Sequence, residues 1–382
     1  MNFPGHVLWD SGRRDAIVVR VAVAGDFLPA GAISLPSGGW GAAAGALLSN
    51  FEDVSVSFVN LECPLDVASL APRPLNGLGQ IVSAESSSLE YLAALRCSIA
   101  SVANNHTYDF GSYGVECTRT ALSRRHIIAL GAGQSLRRRP ETFVWRGPGN
   151  IRIGFWAAAL ASRELATRRR SGVEPATLAR AREALRSFES QGASFSIALL
   201  HAGVLRTCRP DPSDLHRIDA LAHAGFGIVA SSHSHLISGA KILTNARSAP
   251  SACFYGIGSI VSGYIGSSLE REGLIVVAAF HGDGSLARIE VRPVLLGASG
   301  FGEVPSSTQG GIILDRFRKL SSEIADGSSR ELFYRDTGRG LVSLYIRDAS
   351  AAFRQSGVRG LIRKAGRVRL RHVLRAVHGL LG

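Results

Sequence analysis

Carboxylate, amide and imidazole side chains stand at the ends of five apolar runs of this sequence. They belong to Asp26, Glu62, Asn104-Asn105-His106, His201 and His233-Ser234-His235. Oxygen and imidazole donors of these types bind divalent metal ions of hard or borderline character. If the five positions meet in the fold, one Asp, one Glu, one Asn and several His residues surround one point. We therefore predict a divalent-metal site.

The apolar runs before these residues have the length and composition of buried strands. Such runs, for example 54–59 and 196–200, alternate with helix-like segments such as 115–125 and 212–224 from residue 17 to about residue 240. This alternation favours an α/β fold with parallel strands covered by helices. Ligands of such folds bind beyond the carboxyl ends of the strands, so the five positions are expected to share one edge.

The sequence after about residue 250 changes to closely spaced strands. Gly282-Asp283-Gly284, between the last two of them, is typical of an antiparallel hairpin. The segment 297–311 is rich in Gly and Ser, which predicts a linker. We therefore expect one domain over residues 1–300, and a linker with a basic helical extension over residues 301–382.

Most of the five groups also have an interpretation without a metal. Asp26 could cap a helix or form a turn, and Glu62, just ahead of Pro64, could be a surface carboxylate. His201 could be a core histidine with its hydrogen bonds satisfied. The imidazoles of His233-Ser234-His235 would face one site in a strand. In a loop they could bridge two ions or simply be solvated.

Asn104-Asn105-His106 carries more information, because asparagine is poor strand material and tolerates left-handed turns. A plain turn is the interpretation without function, and Asp109 with Gly111 fits a tight loop that enters the next helix. The amide oxygen of an asparagine can also bind a hard or borderline metal. His106 could act as an acid or contact an oxyanion such as phosphate.

Composition limits the class of protein. The 382 residues are 46% hydrophobic, enough for one large α/β domain or two ordinary ones. The five cysteines are scattered, which argues against a disulfide framework and a cysteine zinc site. Charged residues such as Asp10 and Arg13 interrupt the first twenty, and no apolar stretch reaches roughly 18 residues. We expect a protein that is cytoplasmic or peripheral at the inner membrane face.

Positive charge is concentrated at the C-terminal end. The formal net charge is +13, and eight positive charges follow Asp348, the last acidic residue, which leaves +5 for the rest. Apolar residues occur among these cations at mixed helical spacing. The pattern allows a helix that packs on the core or an interfacial helix on an anionic membrane. Nucleic-acid binding is disfavoured, because no aromatic residue interleaves with the basic ones.

The order and context of these residues resemble the capsule-biosynthesis CapA family. That family is linked to poly-γ-glutamate synthesis and belongs to the calcineurin-like metallophosphoesterase superfamily. The resemblance covers about residues 21–260 and is most specific at Asn-Asn-His. It is carried by Asp26, Asn60-Leu61-Glu62, Asn104-Asn105-His106 with Asp109 and Gly111, His201, and His233-x-His235. Further landmarks are Cys63-Pro64-Leu65, Gly131-Ala132-Gly133 and Tyr255-Gly256-Ile257-Gly258.

The resemblance implies a four-layered α/β/β/α sandwich with one or two ions of Mn, Fe or Zn at the strand ends. One implied ligand set contains Asp26 and His235, and the other contains Asn105, His201 and His233. Glu62 stands where the superfamily has a bridging Asp. The implied catalytic residues are His106, the acid near the scissile group, and Asp109. The implied substrate-binding residues are Asn104 and Tyr255.

The sequence departs from the family pattern around the expected ligands. The family has His-Trp-Gly followed by Glu-Tyr, whereas His201 is followed by Ala202 and Gly203 and then Val-Leu-Arg. Leu28 occupies the position of a superfamily metal ligand, and Ser259 replaces an expected Asn. These changes indicate an altered substrate, or a site that binds metal but turns over poorly.

The sequence thus predicts a CapA-like protein that makes or attaches an anionic surface polymer of the poly-γ-glutamate type. Its metal site would support hydrolysis or transfer at a phosphate or amide-type bond. A non-catalytic polymer-binding or assembly component and a general metal-dependent phosphoesterase are the alternatives. The expected partners are an anionic polymer or phosphoester substrate and, through the basic tail, an anionic membrane surface.

Overall fold

The computed structural model describes residues 5–72, 80–160, 162 and 164–337. Its strands are β1 (His6–Asp10), β2 (Ile17–Gly31), β3 (Val56–Leu61), β4 (Cys97–Ser101), β5 (Ile128–Leu130), β6 (Ala132–Gln134), β7 (Thr142–Arg146), β8 (Arg152–Ala159), β9 (Gly172–Val173), β10 (Phe195–Ala202), β11 (Ile228–His233), β12 (Ala240–Thr244), β13 (Pro250–Phe254), β14 (Ser259–Gly263), β15 (Glu272–His281), β16 (Leu286–Leu296) and β17 (Gly302–Glu303). Its helices are α1 (Gly39–Ala43), α2 (Leu89–Ala94), α3 (Gly111–Arg124), α4 (Leu178–Ser190), α5 (Pro212–Ala224) and α6 (Ser307–Ala325). Residues 329–337 are also helical, and short 3-10 turns lie at Ala44–Asn50, Ser86–Ser88 and Ser268–Arg271.

Fifteen of these strands form two large sheets, and β6 and β9 form a separate two-stranded sheet. The first has the order β1-β16-β15-β2-β3-β4-β5, with β14 beside β2 and β17 beside β16. The second has the order β12-β13-β11-β10-β8-β7. Strands β2 to β5 are parallel, as are β8, β10, β11 and β13. The predicted hairpin is confirmed, because β15 and β16 pair antiparallel.

Alternation along the strands shows that the two sheets pack face to face. In β10, Ile197 and Leu199 belong to the main core, whereas Ala198 and Leu200 pack in a second core with α4 and α5. Successive strand residues point to opposite faces, so one face of the second sheet meets the first sheet and the other meets helices. Helices α2 and α3 contact β4 and β5 of the first sheet. The predicted four-layered α/β/β/α sandwich is confirmed.

The predicted linker over 297–311 is wrong, because this segment contains β17 and the start of α6. Ile313, Leu314 and Phe317 of α6 are buried in the main core. The glycines serve close packing instead of flexibility, since a Cβ on Gly300 would lie 2.7 Å from the Ser262 carbonyl oxygen. The predicted basic helical extension after Asp348 lies outside the described residues.

A membrane span is not found in the part of the chain that the structure describes. The longest helix, α6, has 19 residues but is too polar to cross a bilayer.

Candidate metal centre

The predicted ligands come together where the two sheets meet, at the carboxyl ends of their strands. Asp26 lies in β2 and pairs with Asn60 of β3, and Glu62 directly follows β3. His201 lies in β10, beside the neighbouring strand β11 that ends at His233. Each sheet therefore contributes part of the centre: the first supplies carboxylates and the second supplies imidazoles.

Two overlapping groups of side chains have the geometry of metal-ligand sets. In each group the ligand atoms lie within 4.8 Å of one another. The first group is Asp26, Glu62 and His235, and the second is Glu62, His201 and His233. Glu62 belongs to both and is only 1% exposed. A carboxylate shared by two sets is suited to bridge two cations.

The amide of Asn105 extends the second set. Its Oδ1 lies 2.6 Å from Nε2 of His201. The amide oxygen therefore points at the same region as the imidazole, as the sequence predicted for a ligand. Five of the six predicted ligands lie in the two sets, and Asn105 stands directly beside them.

The two carboxylates of the centre differ in their protonation. Burial and the nearby Asp26 carboxylate raise the pKa of Glu62 to about 8. Burial also disfavours ionisation of Asp26, but a hydrogen bond from His235 and the positive charge of His235 outweigh it, so the pKa of Asp26 lies well below its usual range. Nδ1 of His235 is 3.0 Å from Oδ2 of Asp26.

The three imidazoles also titrate differently. Burial and the adjacent His233 lower the pKa of His201 well below its usual value. The rings of His201 and His233 are 4.4 Å apart, and burial with the charge of His235 lowers the pKa of His233 to about 4. Burial alone would lower the pKa of His235, but Glu62 and Asp26 raise it to about 9. The metal-free centre therefore holds two neutral imidazoles beside one imidazolium at neutral pH.

Two buried polar atoms of the centre lack a hydrogen-bond partner among the described residues. They are Oε2 of Glu62 and Nδ1 of His233. A buried polar atom without a partner costs roughly 1–3 kcal/mol, and such atoms call for an explanation in native structures. Both belong to the proposed ligand sets. Because a divalent cation would satisfy both atoms, the residues present fit the metal that this class of fold implies.

The backbone between the two last histidines is strained. The φ angles of His233 and His235 are 118° and 58°, in the left-handed region that residues with a side chain rarely adopt. This conformation ends β11 and turns the chain, so the two imidazoles enter different ligand sets. This arrangement corresponds to the sequence interpretation in which the histidines lie in a loop and could bridge two ions.

Asn60 belongs to the centre, although the sequence indicated it only as part of the Asn60-Leu61-Glu62 motif and assigned it no role in the site. Its Nδ2 donates a hydrogen bond to Oδ1 of Asp26 at 2.7 Å and lies 3.3 Å from Nδ1 of His201. Its Oδ1 accepts from Nδ2 of Asn104 at 3.3 Å. The available signal was an asparagine inside the mostly apolar run 56–61, where a buried amide needs partners.

Asn104 and His106 occupy the turn after β4. Asn104 is buried and donates from Nδ2 to the Leu61 carbonyl at 2.7 Å, which ties the turn to the end of β3. Nδ1 of His106 lies 2.8 Å from Oδ2 of Asp109, and the same oxygen accepts from the Val82 amide. The predicted catalytic pair is thus in contact, at the rim of the ligand sets.

Tyr255 is not brought to the centre. Its hydroxyl donates to Asp219 of α5, and its ring packs in the core between the second sheet and the helices. The reason is strand alternation. The preceding residue, Phe254, faces the core between the sheets, so Tyr255 faces the opposite way.

The departures from the family pattern leave the first ligand set small. Leu28 is buried and offers no ligand atom. Ser259 lies opposite Asp26 in the pairing of β14 with β2, and its Oγ is 3.4 Å from Nδ1 of His235. Gly25 and Gly258 are in close contact, since a Cβ on Gly25 would lie 1.9 Å from the Gly258 carbonyl oxygen. This contact sets the position of Asp26.

The sandwich fold thus carries two overlapping ligand sets at the strand ends of its two sheets. The chain belongs to the bacterial capsule synthesis protein family PGA_cap, whose family model matches residues 20–264. The matched segment contains every ligand of the two sets. No curated protein matches the sequence.

Several solved structures resemble this fold at low sequence identity. The NAD nucleotidase of Haemophilus influenzae is 13% identical over 80% of this chain and 56% of its own, with a TM-score of 0.42. The 5'-nucleotidase precursor of Thermus thermophilus is 15% identical over 79% of this chain and 58% of its own, with a TM-score of 0.46. The calcineurin-like phosphoesterase YfkN of Bacillus subtilis is 11% identical over 80% of this chain and 98% of its own, with a TM-score of 0.43. The chain spans a little over half the length of the first two.

Proposed function

We propose that this chain is a divalent-metal-dependent hydrolase or transferase that acts on an anionic surface polymer of the poly-γ-glutamate type or on a phosphoester precursor of it. Membership of the capsule synthesis family supports a surface polymer, or a precursor of one, as the substrate. The observation that carries the chemistry is Glu62, a buried carboxylate that is shared by two ligand sets and has one oxygen without a hydrogen-bond partner among the described residues.

The two ligand sets contain the residues that would hold the metal ions. Asp26, Glu62 and His235 would bind one ion of Mn, Fe or Zn, and Glu62, His201 and His233 with Asn105 would bind a second. When bound, the ions would supply Lewis acidity at a phosphoryl or carbonyl oxygen. The rest of the centre is protein chemistry: Asn60 fixes the Asp26 carboxylate, and the Asn104 amide fixes the turn that presents Asn105 and His106.

His106 would act as the general acid. Nδ1 of His106 donates to Asp109, a carboxylate that is itself buried, so Nε2 is the nitrogen left for a substrate. His106 would then donate a proton to the leaving oxygen or nitrogen as the scissile bond breaks, while Asp109 keeps the ring oriented.

A polymer-binding component without turnover is the second candidate. Leu28 favours it, because a buried leucine stands where the superfamily has a ligand, and the first set keeps only three protein donors. Such a protein would use the metal to hold an anionic group of the polymer.

Metal content and turnover in three variants separate these functions. Protein purified without chelators should contain one or two equivalents of Mn, Fe or Zn, and should hydrolyse or transfer at least one of a phosphomonoester, a phosphodiester or a γ-linked glutamate oligomer. His106→Ala should keep the metal and lose turnover, and His233→Ala should lose both. His216→Ala, on the exposed face of α5, is the matched control and should change neither. Metal without turnover on every substrate would favour the binding component, and protein that takes up no metal would refute both.

A further inference from the structure

A cavity with several charged lining residues lies beside the turn that carries His233 and His235. It has a volume of about 330 Å³ and lies between the loop that follows β10, the turn after β11 and helix α6. Leu236, next to His235, lines it. The Arg206 amide donates to the Ser234 carbonyl at 2.9 Å, which ties the cavity wall to the His233-Ser234-His235 turn. An occupant of this cavity would therefore lie beside the proposed metal ligands.

Four cationic side chains line the cavity: Arg206, Arg209, Arg316 and Lys319. Two of them form ion pairs with buried carboxylates. Nε of Arg206 donates to Glu270 at 2.6 Å, and Nε of Arg316 donates to Glu272 at 2.7 Å. Glu270 is only 3% exposed, whereas the Arg206 side chain is 61% exposed. Both guanidinium groups therefore donate to the protein through Nε, and their Nη atoms make no hydrogen bond to the described residues.

The acidic residues of the cavity are already occupied. Arg209 binds both oxygens of Glu323, at 2.8 and 2.9 Å, and also binds Asp336. Two acids are thus paired with one arginine. Lys319 is exposed on α6 and has no carboxylate within 4.0 Å among the described residues. Among the cationic residues that line the cavity, the donors without a partner in the described residues are therefore the Nη atoms of Arg206 and Arg316 and the ammonium of Lys319.

We propose that this cavity binds an oxyanion of the substrate, a carboxylate or phosphate group that lies along the chain from the bond that reacts at the metal centre. The inference rests on the proposed function and names the feature that its substrate must have. A guanidinium with free Nη atoms can bind an oxyanion through two parallel hydrogen bonds. The buried carboxylates hold the guanidinium groups in place before binding, which lowers the entropy cost of binding. A polymer of repeated acid groups presents one group to the centre and another to the cavity.

Direct binding tests this inference without relying on turnover. The probes are a γ-linked glutamate hexamer, its neutral γ-linked glutamine counterpart, and tripolyphosphate as the phosphate source. Calorimetry on the full chain, metal-loaded and after chelation, gives each dissociation constant. The glutamate hexamer should bind in both states, more weakly at high salt, and the glutamine hexamer should not bind. Arg206→Gln and Arg316→Gln should each weaken binding about tenfold, the size expected for a charge-assisted contact.

The matched control is Arg318→Gln, since Arg318 is on the same helix, pairs with Asp315 and does not line the cavity. It should bind like the wild type. Arg206→Gln leaves Glu270 buried without its cation, so the neutral double variant Arg206→Gln/Glu270→Gln guards against misfolding and should show the same loss. Binding of tripolyphosphate alone, sensitive to both arginines, would assign the cavity to phosphate instead of carboxylate.

Wild-type affinity in both arginine variants, or equal binding of the glutamine hexamer, would overturn the inference even if the enzyme turns over. Arginine-dependent binding by a protein that turns over no substrate would leave the cavity assigned and refute the catalytic function. The two ideas therefore fail separately.

Discussion

Asn60 and Asp26 are joined by a hydrogen bond of 2.7 Å between neighbouring parallel strands. The same amide nitrogen lies 3.3 Å from His201, which belongs to the other ligand set and the other sheet. One uncharged side chain therefore aligns ligands from both sheets. Replacement of a residue that orients metal ligands in this way typically lowers metal affinity or activity about 10–100-fold.

Asn60→Ala should weaken metal binding about 10–100-fold while the fold is retained, because Asp26 and His201 lose their common partner. Titration of the chelated protein with Mn or Zn measures this. Asn50→Ala is the control, since Asn50 is also a buried asparagine but donates to the Pro293 carbonyl, outside the ligand sets. Unchanged affinity in Asn60→Ala would show that the ligands hold their positions without it.

Metal should stabilise the folded protein. A cation that binds only the folded state, at about 100 times its dissociation constant, adds about 2.7 kcal/mol to the free energy of unfolding. Urea denaturation with Mn or Zn, and with chelator, measures the difference. Glu62→Gln should lose most of it, because Glu62 serves both sets. Equal stability with metal and with chelator would contradict a metal centre.

The stability of the metal-free protein should fall as pH rises from about 6.5 to 9. The pKa of Glu62 is raised to about 8 and that of His235 to about 9, so both groups bind their protons more tightly in the folded state. A group with a raised pKa contributes stability that is present at low pH and lost as pH rises through the folded-state pKa. Thermal melts in chelator should show this fall. The difference in melting temperature between the metal-bound and the chelated protein should therefore widen as pH rises. A constant difference across this range would contradict the assignment.

Gly25→Ala should disturb the centre through packing alone. The new Cβ would lie 1.9 Å from the Gly258 carbonyl oxygen, which accepts the Asp26 amide at 3.0 Å. Forcing an atom into such a contact costs roughly 1–3 kcal/mol, and the shift should also lower metal affinity. Gly41→Ala is the control, since a Cβ there meets nothing within 4 Å. Thermal melts and metal titration of both variants give the comparison.

The basic tail should bind anionic membranes. Eight positive charges follow Asp348 without an acidic residue, and each contributes about 1 kcal/mol near an anionic surface. Full-length protein should sediment with anionic vesicles, less so as salt rises, and not with neutral vesicles. Deleting 357–382 should abolish sedimentation and leave metal content unchanged. Full-length protein that ignores anionic vesicles would contradict this.

The sequence predicted the parts of the centre that depend on strand ends. Asp26, Glu62, His201, His233 and His235 follow or end apolar runs, and parallel pairing brings such residues to one edge. The role of Asn60 depends on cross-strand register, which the sequence does not show. The prediction that Tyr255 binds substrate failed because the sequence does not show which face of the sheet this side chain points to.

The segment 297–311 was misjudged for a different reason. Glycine is frequent both in flexible linkers and where two backbones approach closely, and composition does not distinguish these uses. Only the neighbours of Gly300 and Gly302, the carbonyl oxygens of Ser262 and Ile260, show that these glycines are packed.

The position of β15 has a consequence for how the protein can be divided. β15 lies between β16 and β2, in the middle of the first sheet, and β2 carries Asp26. The family match ends at residue 264, before β15 begins at Glu272. A fragment cut at the limit of the recognisable homology would expose one side of β2 along the row Ile17 to Ala24. The recognisable segment and the unit that folds are therefore not the same. An expression boundary belongs no earlier than residue 337, because Phe333 of the helix after α6 is also buried.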